Sequence, residues 1–239
     1  MSMMVNPSRF GGDNLFSLVK FAVNFTGTDG QTSAVDFATG KTISFVGGAR
    51  ITTSKSAFGA GSSLDLSVTN HGINGASWLT VPDSADWTPG ASEDYCWEIV
   101  VDTETGNGAA QTIMVHNQGN SYYPYAFFRL ADSSFASWGF DTNPSQDMNQ
   151  QAGTITTGFR HLCIRRISDF TYASIDGVVV SSMNGTQNAR YDSPGTLNIG
   201  MFNDVTAGVG YFQCMRYTKG SARYPVGNFT PPGTLFPTS

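Results

Sequence analysis

GYFQCMRYTKGSARYPVGNFTPPGTLFP, running from Gly210 to Pro237, joins a strand to an extended tail and so closes a β domain. The apolar and aromatic run from Tyr211 to Tyr217 has strand composition, and Lys219 and Gly220 turn the chain. Pro225, Pro231, Pro232 and Pro237 then forbid helix in the remainder of the chain. Working back from that end, short β-branched and aromatic runs recur between clusters of Gly, Asn, Asp and Ser, from FAVNF at Phe21 to TLNIGMF at Thr196. Their connections are too short and too rich in glycine for crossover helices, which predicts antiparallel pairing in two packed sheets. The sharpest local expectation is a type I′ hairpin at Asp176-Gly177, because both central residues of that turn need positive φ. After Pro82, Ser84 and Asp86 allow one helical turn before Trp87, and Pro89 and Gly90 end it. Residues 1 to 20 read as an N-terminal arm, 21 to 224 as the domain, and 225 to 239 as a Pro-rich tail packed on or beside it.

Three other segments accompany that ending in order: FTGTDGQTSAVDFATGKT (Phe25 to Thr42), VPDSADWTPG (Val81 to Gly90) and FRHLCIRRISDFTYASIDGVVVSS (Phe159 to Ser182). Together the four resemble laminin-G-like, concanavalin-A-like jelly-roll domains of the kind found in small proteins of tailed bacteriophages. The resemblance spans most of the chain. It implies an all-β fold, a two-sheet antiparallel jelly-roll sandwich, and a non-enzymatic protein displayed on the virion surface. The first reading is a capsid decoration or cement protein with sugar adhesion as an added role. The alternative is a tail-associated adhesin that binds host-surface glycans, and the third is a glycan-cleaving enzyme. The implied partners are other virion proteins of capsid or tail, host glycans, and further copies of the chain in a homo-oligomer, after synthesis in the host cytoplasm. Relatives of the fold commonly hold calcium at the sandwich rim. Thr26, Gln213 and Cys214 stand here where carboxylates would be expected, leaving Asp29 and Asp36 as remnants with turn-forming roles, so neither metal nor other cofactor is expected.

Composition narrows the partners. The formal net charge is -5 and only 13% of residues are charged, with no extended Lys and Arg cluster to neutralise phosphates, so nucleic acid is not an expected partner. The opening MSMMVNPSRFGGD lacks the apolar core of a signal peptide, and no run approaches the ~18 apolar residues of a spanning helix, so membrane insertion is not expected either. Cys96, Cys163 and Cys214 are odd in number, lie in apolar runs and lack paired spacing, which predicts buried free thiols.

Candidate chemistry is sparse. Gly40-Lys41-Thr42 imitates the end of a phosphate loop, but Val35 occupies the position of that motif's first glycine. Glu98, Asp102 and Glu104 share strand parity, yet Glu98 and Asp102 lie roughly 13 Å apart along a strand, beyond the spacing of either class of glycosidase. The adjoining DTETGNG reads as a solvated turn. Arg160, His161, Arg165 and Arg166 read as a solvated basic strand face. The stretch from Asn117 to Tyr125 mixes amides with Tyr122 and Tyr123, and Trp138, Asp141 and Asn143 lie downstream. Aromatic faces stack on pyranose rings while amides and carboxylates bond hydroxyls, so Asn117, Tyr122, Tyr123, Trp138, Asp141 and Asn143 form the candidate carbohydrate or partner surface. Phe10, Leu15, Phe16, Leu235 and Phe236, apolar residues on short terminal segments, are the candidates for docking onto other subunits.

Overall fold

A computed structural model describes residues 13–67, 77–104, 110–117, 122–142, 146–184, 188–202, 206–207 and 210–239. In chain order the strands are β1 (Val19–Asn24), β2 (Ser44–Val46), β3 (Arg50–Thr52), β4 (Ser63–Asp65), β5 (Trp78–Val81), β6 (Tyr95–Asp102), β7 (Gln111–Asn117), β8 (Ala126–Arg129) and β9 (Ser134–Phe140). They continue as β10 (Gln146–Thr154), β11 (Arg160–Ile167), β12 (Phe170–Ile175), β13 (Val178–Asn184), β14 (Thr196–Ile199), β15 (Met201–Phe202), β16 (Thr206–Ala207) and β17 (Tyr211–Lys219). One sheet has the order β13-β12-β11-β6-β17-β4-β3, with β1 also paired to β17; the other runs β10-β9-β8-β7-β14-β5-β2. β15 and β16 form a separate small hairpin. The pairing is antiparallel throughout and the two large sheets pack as a sandwich, as the short connections require.

Strand parity places the core. Tyr95, Trp97, Ile99 and Val101 of β6 face Tyr125, Phe127 and Phe135 of the opposite sheet. Trp97 stacks on Tyr217 at 4.3 Å between ring centres, and Trp87 stacks on Trp97 at 6.0 Å. Trp87 arrives on the single turn foreseen at Ala85–Trp87: the Ser84 hydroxyl accepts from the Asp86 amide, and the Trp87 indole donates to the Pro82 carbonyl at 3.2 Å. The turn between β12 and β13 is as expected, with φ of 50° at Asp176 and 77° at Gly177. Glycine is required at 177 for a second reason: Phe229 of the tail donates its amide to the Gly177 carbonyl, and a Cβ there would meet the Phe229 carbonyl oxygen at 2.0 Å.

The structure redraws several expectations. Val19 and Lys20, assigned to an arm, are the first two residues of β1, and Val19 is buried. Residues 220–239 carry no helix or strand and lie across the outer side of the β6, β11 and β17 sheet. The basic strand is not solvated: Arg165, Arg166 and His161 are all buried. Parity sends Arg166 inward, where it donates to the carbonyls of Gly90 and Glu93, while Arg165 points outward and donates to the tail carbonyls of Pro225 and Gly227. Asp102, placed by sequence in a solvated turn, is buried against Lys55 at 2.7 Å. The three cysteines are buried and free, with Cys96 and Cys163 sulfurs 3.6 Å apart on neighbouring strands.

Candidate functional site

The two outer faces differ. On the β6, β11 and β17 sheet the outward side chains include Glu98, His161, Arg165 and Arg216, a set that resembles an acid-base site and is sealed. Glu98 has no exposed surface; it accepts from Arg216 at 2.7 Å and from the Tyr224 hydroxyl at 2.6 Å, with Arg223 at 3.3 Å and His161 at 3.4 Å. Asp13 joins the same cluster through Arg216 at 3.0 Å and through Arg223. Burial alone would raise the Glu98 carboxyl, but Arg216, His161 and Arg223 outweigh it and hold it well below its ordinary range. Burial likewise pushes the Tyr224 hydroxyl far up, so it donates to Glu98 as a neutral phenol. A carboxylate held ionised beneath a strap of chain supports structure rather than proton transfer to a substrate.

The terminal segments make this cover, which corrects the docking assignment at Phe236 and Phe16. Phe236 is 2% exposed, packs on Val100 and Cys214, lies under the Arg216 guanidinium at 4.2 Å, and exchanges two hydrogen bonds between its backbone and the side-chain amide of Asn24. Phe16 stacks on Phe37 at 6.4 Å, and the Asp13 amide donates to the Ser239 carbonyl. Leu15 and Leu235 are half-buried. Phe10 lies outside the described residues. Phe236 is thus taken up by the chain's own sheet and Phe16 by Phe37, because a polar strand face needs covering as much as the tail needs a surface.

The calcium positions are also satisfied internally. Gln213 donates to the Ser62 carbonyl and accepts from the Ala57 amide, while Asp36 accepts from the amides of Ala22, Ala38 and Lys41 and from the Thr39 hydroxyl. Asp29 accepts from the Thr53 amide. Excess chelator should therefore leave the unfolding temperature unchanged in a thermal scan, whereas a marked fall would place a metal on these groups.

The outer side of the other sheet carries a strip of touching rings. Tyr191 meets Tyr122 at 5.9 Å, Tyr122 meets Phe140 at 5.4 Å, and Phe140 meets Tyr123 at 5.2 Å. Phe202 of the β15–β16 hairpin bridges Tyr123 to Phe128, and Phe128 packs on Trp138 at 4.8 Å. Tyr122 is exposed, while Tyr191, Phe140, Phe202 and Trp138 each keep part of their surface in solvent. Beside Trp138, register places Asn149 of β10 directly opposite, with Gln151 two residues on, both exposed. Aromatic faces and amides thus share one open sheet face.

Of the six residues proposed from sequence, Tyr122 and Trp138 stand on this strip. Tyr123 is buried beneath it, and burial raises its hydroxyl. Asp141 is a correction: it is 1% exposed, accepts from the Asn188 amide at 2.8 Å, and shares a backbone bridge with Arg190. It orders the loop and is not presented to solvent. Asn117 ends β7, paired with Thr196, and Asn143 lies outside the described residues. Phe140, Tyr191, Phe202 and Asn149 were missed. The signal for part of this was present: YAFFRL and FASWGF are apolar or aromatic at both parities, and a strand with no polar side has two sticky faces.

No protein-family model matches the chain, and no curated protein matches it. Solved structures do. The binding domain of botulinum neurotoxin serotype D is similar over 86% of this chain and 49% of its own, with a TM-score of 0.64 and 10% identity. The binding domain of Paraclostridial Mosquitocidal Protein 1 is similar over 87% and 49%, with 0.60 and 11%. Domain 4 of AbnA, a GH43 extracellular arabinanase from Geobacillus stearothermophilus, in complex with arabinotriose, is similar over 84% and 92%, with 0.58 and 15%. The chain spans about half the length of the toxin binding domains. At these identities the likeness establishes the β-sandwich fold, and the two toxin neighbours are binding domains.

Proposed function

We propose that the chain is a non-enzymatic glycan-binding module whose working surface is the aromatic and amide strip formed by Tyr122, Tyr191, Phe140, Trp138 and Asn149. The observation that carries this is the asymmetry of the faces: one sheet is covered by the chain's own ends, while the other presents partly exposed rings next to exposed amides. Stacking and hydroxyl bonding need that combination. A similar domain solved with arabinotriose supports the class of ligand. The lack of an enzymatic role is supported by the carboxylates, since Glu98 and Asp102 are buried and neutralised by Arg216 and Lys55. Attachment to a virion, at head or tail, rests on the sequence resemblance alone, and the terminal segments no longer argue for it.

The test is a glycan array with the purified chain, followed by titration of the best ligand. Tyr122→Ala and Trp138→Ala should each weaken binding about tenfold. Loss of the exposed Tyr122 ring should leave the unfolding temperature within a degree or two, while loss of Trp138, packed on Phe128, should lower it by several degrees without unfolding the chain at 25 °C. Absence of any glycan binding, or binding unmoved by both substitutions, would sink the proposal.

A further inference from the structure

On the inward face of β7 and β8, on the other side of the sheet from the aromatic strip, two buried side chains carry polar atoms without partners. Arg129 shares strand parity with Phe127 and is paired in register with Phe135, both members of the main core, so its side chain points between the sheets. Gln111 is the register partner of Arg129 on β7 and points the same way. The two are 5% and 3% exposed. Arg129 makes one hydrogen bond, from Nη2 to the Ser133 hydroxyl at 2.6 Å, while its Nε and Nη1 have no partner. Neither polar side-chain atom of Gln111 has one. Among the described residues no carboxylate pairs with Arg129, in contrast to Arg216 and Arg223, which share Glu98 and Asp13. A buried guanidinium without a counter-ion and a buried amide without a hydrogen bond are each costly, and adjacent in one register pair they describe a complementary set.

That set has a definite chemistry. The two free guanidinium nitrogens and Gln111 Nε2 require acceptors, one of them preferably anionic. Gln111 Oε1 requires a donor, which a simple carboxylate lacks. A carboxylate with a neighbouring hydroxyl satisfies all of them. We propose that Arg129 and Gln111 form a binding site for a small hydroxycarboxylate between the two sheets. Phe128, the strip residue next to Arg129, points to the outer face while Arg129 and Gln111 point inward, so the sheet itself separates this site from the aromatic strip.

The probe is sodium glycolate, titrated against the full chain by calorimetry and by amide chemical shifts, at ionic strength held constant with sodium chloride. Glycolate should bind saturably, acetate should bind about tenfold more weakly for want of the hydroxyl, and ethylene glycol should not bind. Arg129→Met should lower glycolate affinity roughly 100-fold and Gln111→Leu roughly tenfold. Arg129→Met should remain folded, because it removes an unpaired buried charge in favour of an apolar side chain of similar length. Should that variant not fold, Gln111→Leu decides alone: loss of the glycolate response supports the site and an unchanged response overturns it. Lack of a saturable response from the native chain, the result expected if Arg129 and Gln111 hold only water, overturns it as well.

Discussion

Glu98→Ala should cost about 3–5 kcal/mol of folding free energy, measured as a shift in denaturant midpoint at unchanged slope. The carboxylate is the shared counter-ion of Arg216 and Arg223 and accepts from Tyr224, all beneath the tail. Removing it leaves two guanidinium groups with Asp13 alone and one buried hydroxyl unpaired. Glu98→Gln should cost less, because the amide keeps the volume and one acceptor oxygen, and it adds a separate test. The folded carboxyl titrates below its ordinary value of 4.5, so its stabilisation is complete above that pH and is lost as pH falls toward the folded value. The native chain should lose stability steeply below about pH 4.5, and Glu98→Gln should show a flatter acid limb. A loss under about 1 kcal/mol for Glu98→Ala would mean that the cluster is solvated and the tail only loosely applied.

How much of this was legible before the structure depends on whether the cause was local. The Asp176-Gly177 turn, the single turn ending at Trp87 and the apolar setting of the three cysteines follow from backbone preferences or composition within a few residues. The solvated reading of the basic β11 face and of Asp102 at the end of β6 failed for a physical reason. A period of two distinguishes one strand face from the other, and charged residues such as Arg165 on β11 or Asp102 at the end of β6 fit a solvated side or turn. Sequence periodicity does not say whether another segment will cover that side. Here the cover comes from Arg223, Tyr224 and Phe236, more than a hundred residues downstream of Glu98. The same limit applied to the binding surface. Tyr122 and Trp138 could be picked as aromatic residues near amides, but Tyr191 and Phe202 join them only through pairing across loops, and Asn149 only through its register with Trp138. Asp141 had the composition of a ligand contact and the environment of a loop strut.

The tail yields the second large effect. A chain ending at Gly220 should fail to fold cooperatively at 25 °C, judged by loss of near-ultraviolet dichroism and of dispersed amide signals. The segment removed supplies Arg223 and Tyr224 to Glu98, the carbonyls that receive Arg165, the Phe229 ring that lies under Arg165 at 4.9 Å, and Phe236 over Val100 and Cys214. Its loss would open a sheet face that carries Glu98, His161, Arg165 and Arg216 with too few partners, and would expose the apolar surface under Phe236 to water. Summed over an unpaired cluster and a lost aromatic side chain, the cost exceeds about 5 kcal/mol, the low end of a domain's whole stability. A chain ending at Thr230 separates the two contributions, because it keeps Arg223, Tyr224 and Phe229 and loses the Phe236 contact, its Asn24 bonds and the Asp13–Ser239 backbone bond. That variant should stay folded and lose about 2–3 kcal/mol, the value of one buried aromatic side chain. If the chain ending at Gly220 unfolds at the native midpoint instead, the tail is a passenger on the sheet, its charged cluster is worth nothing to the isolated domain, and its residues are again free to dock elsewhere.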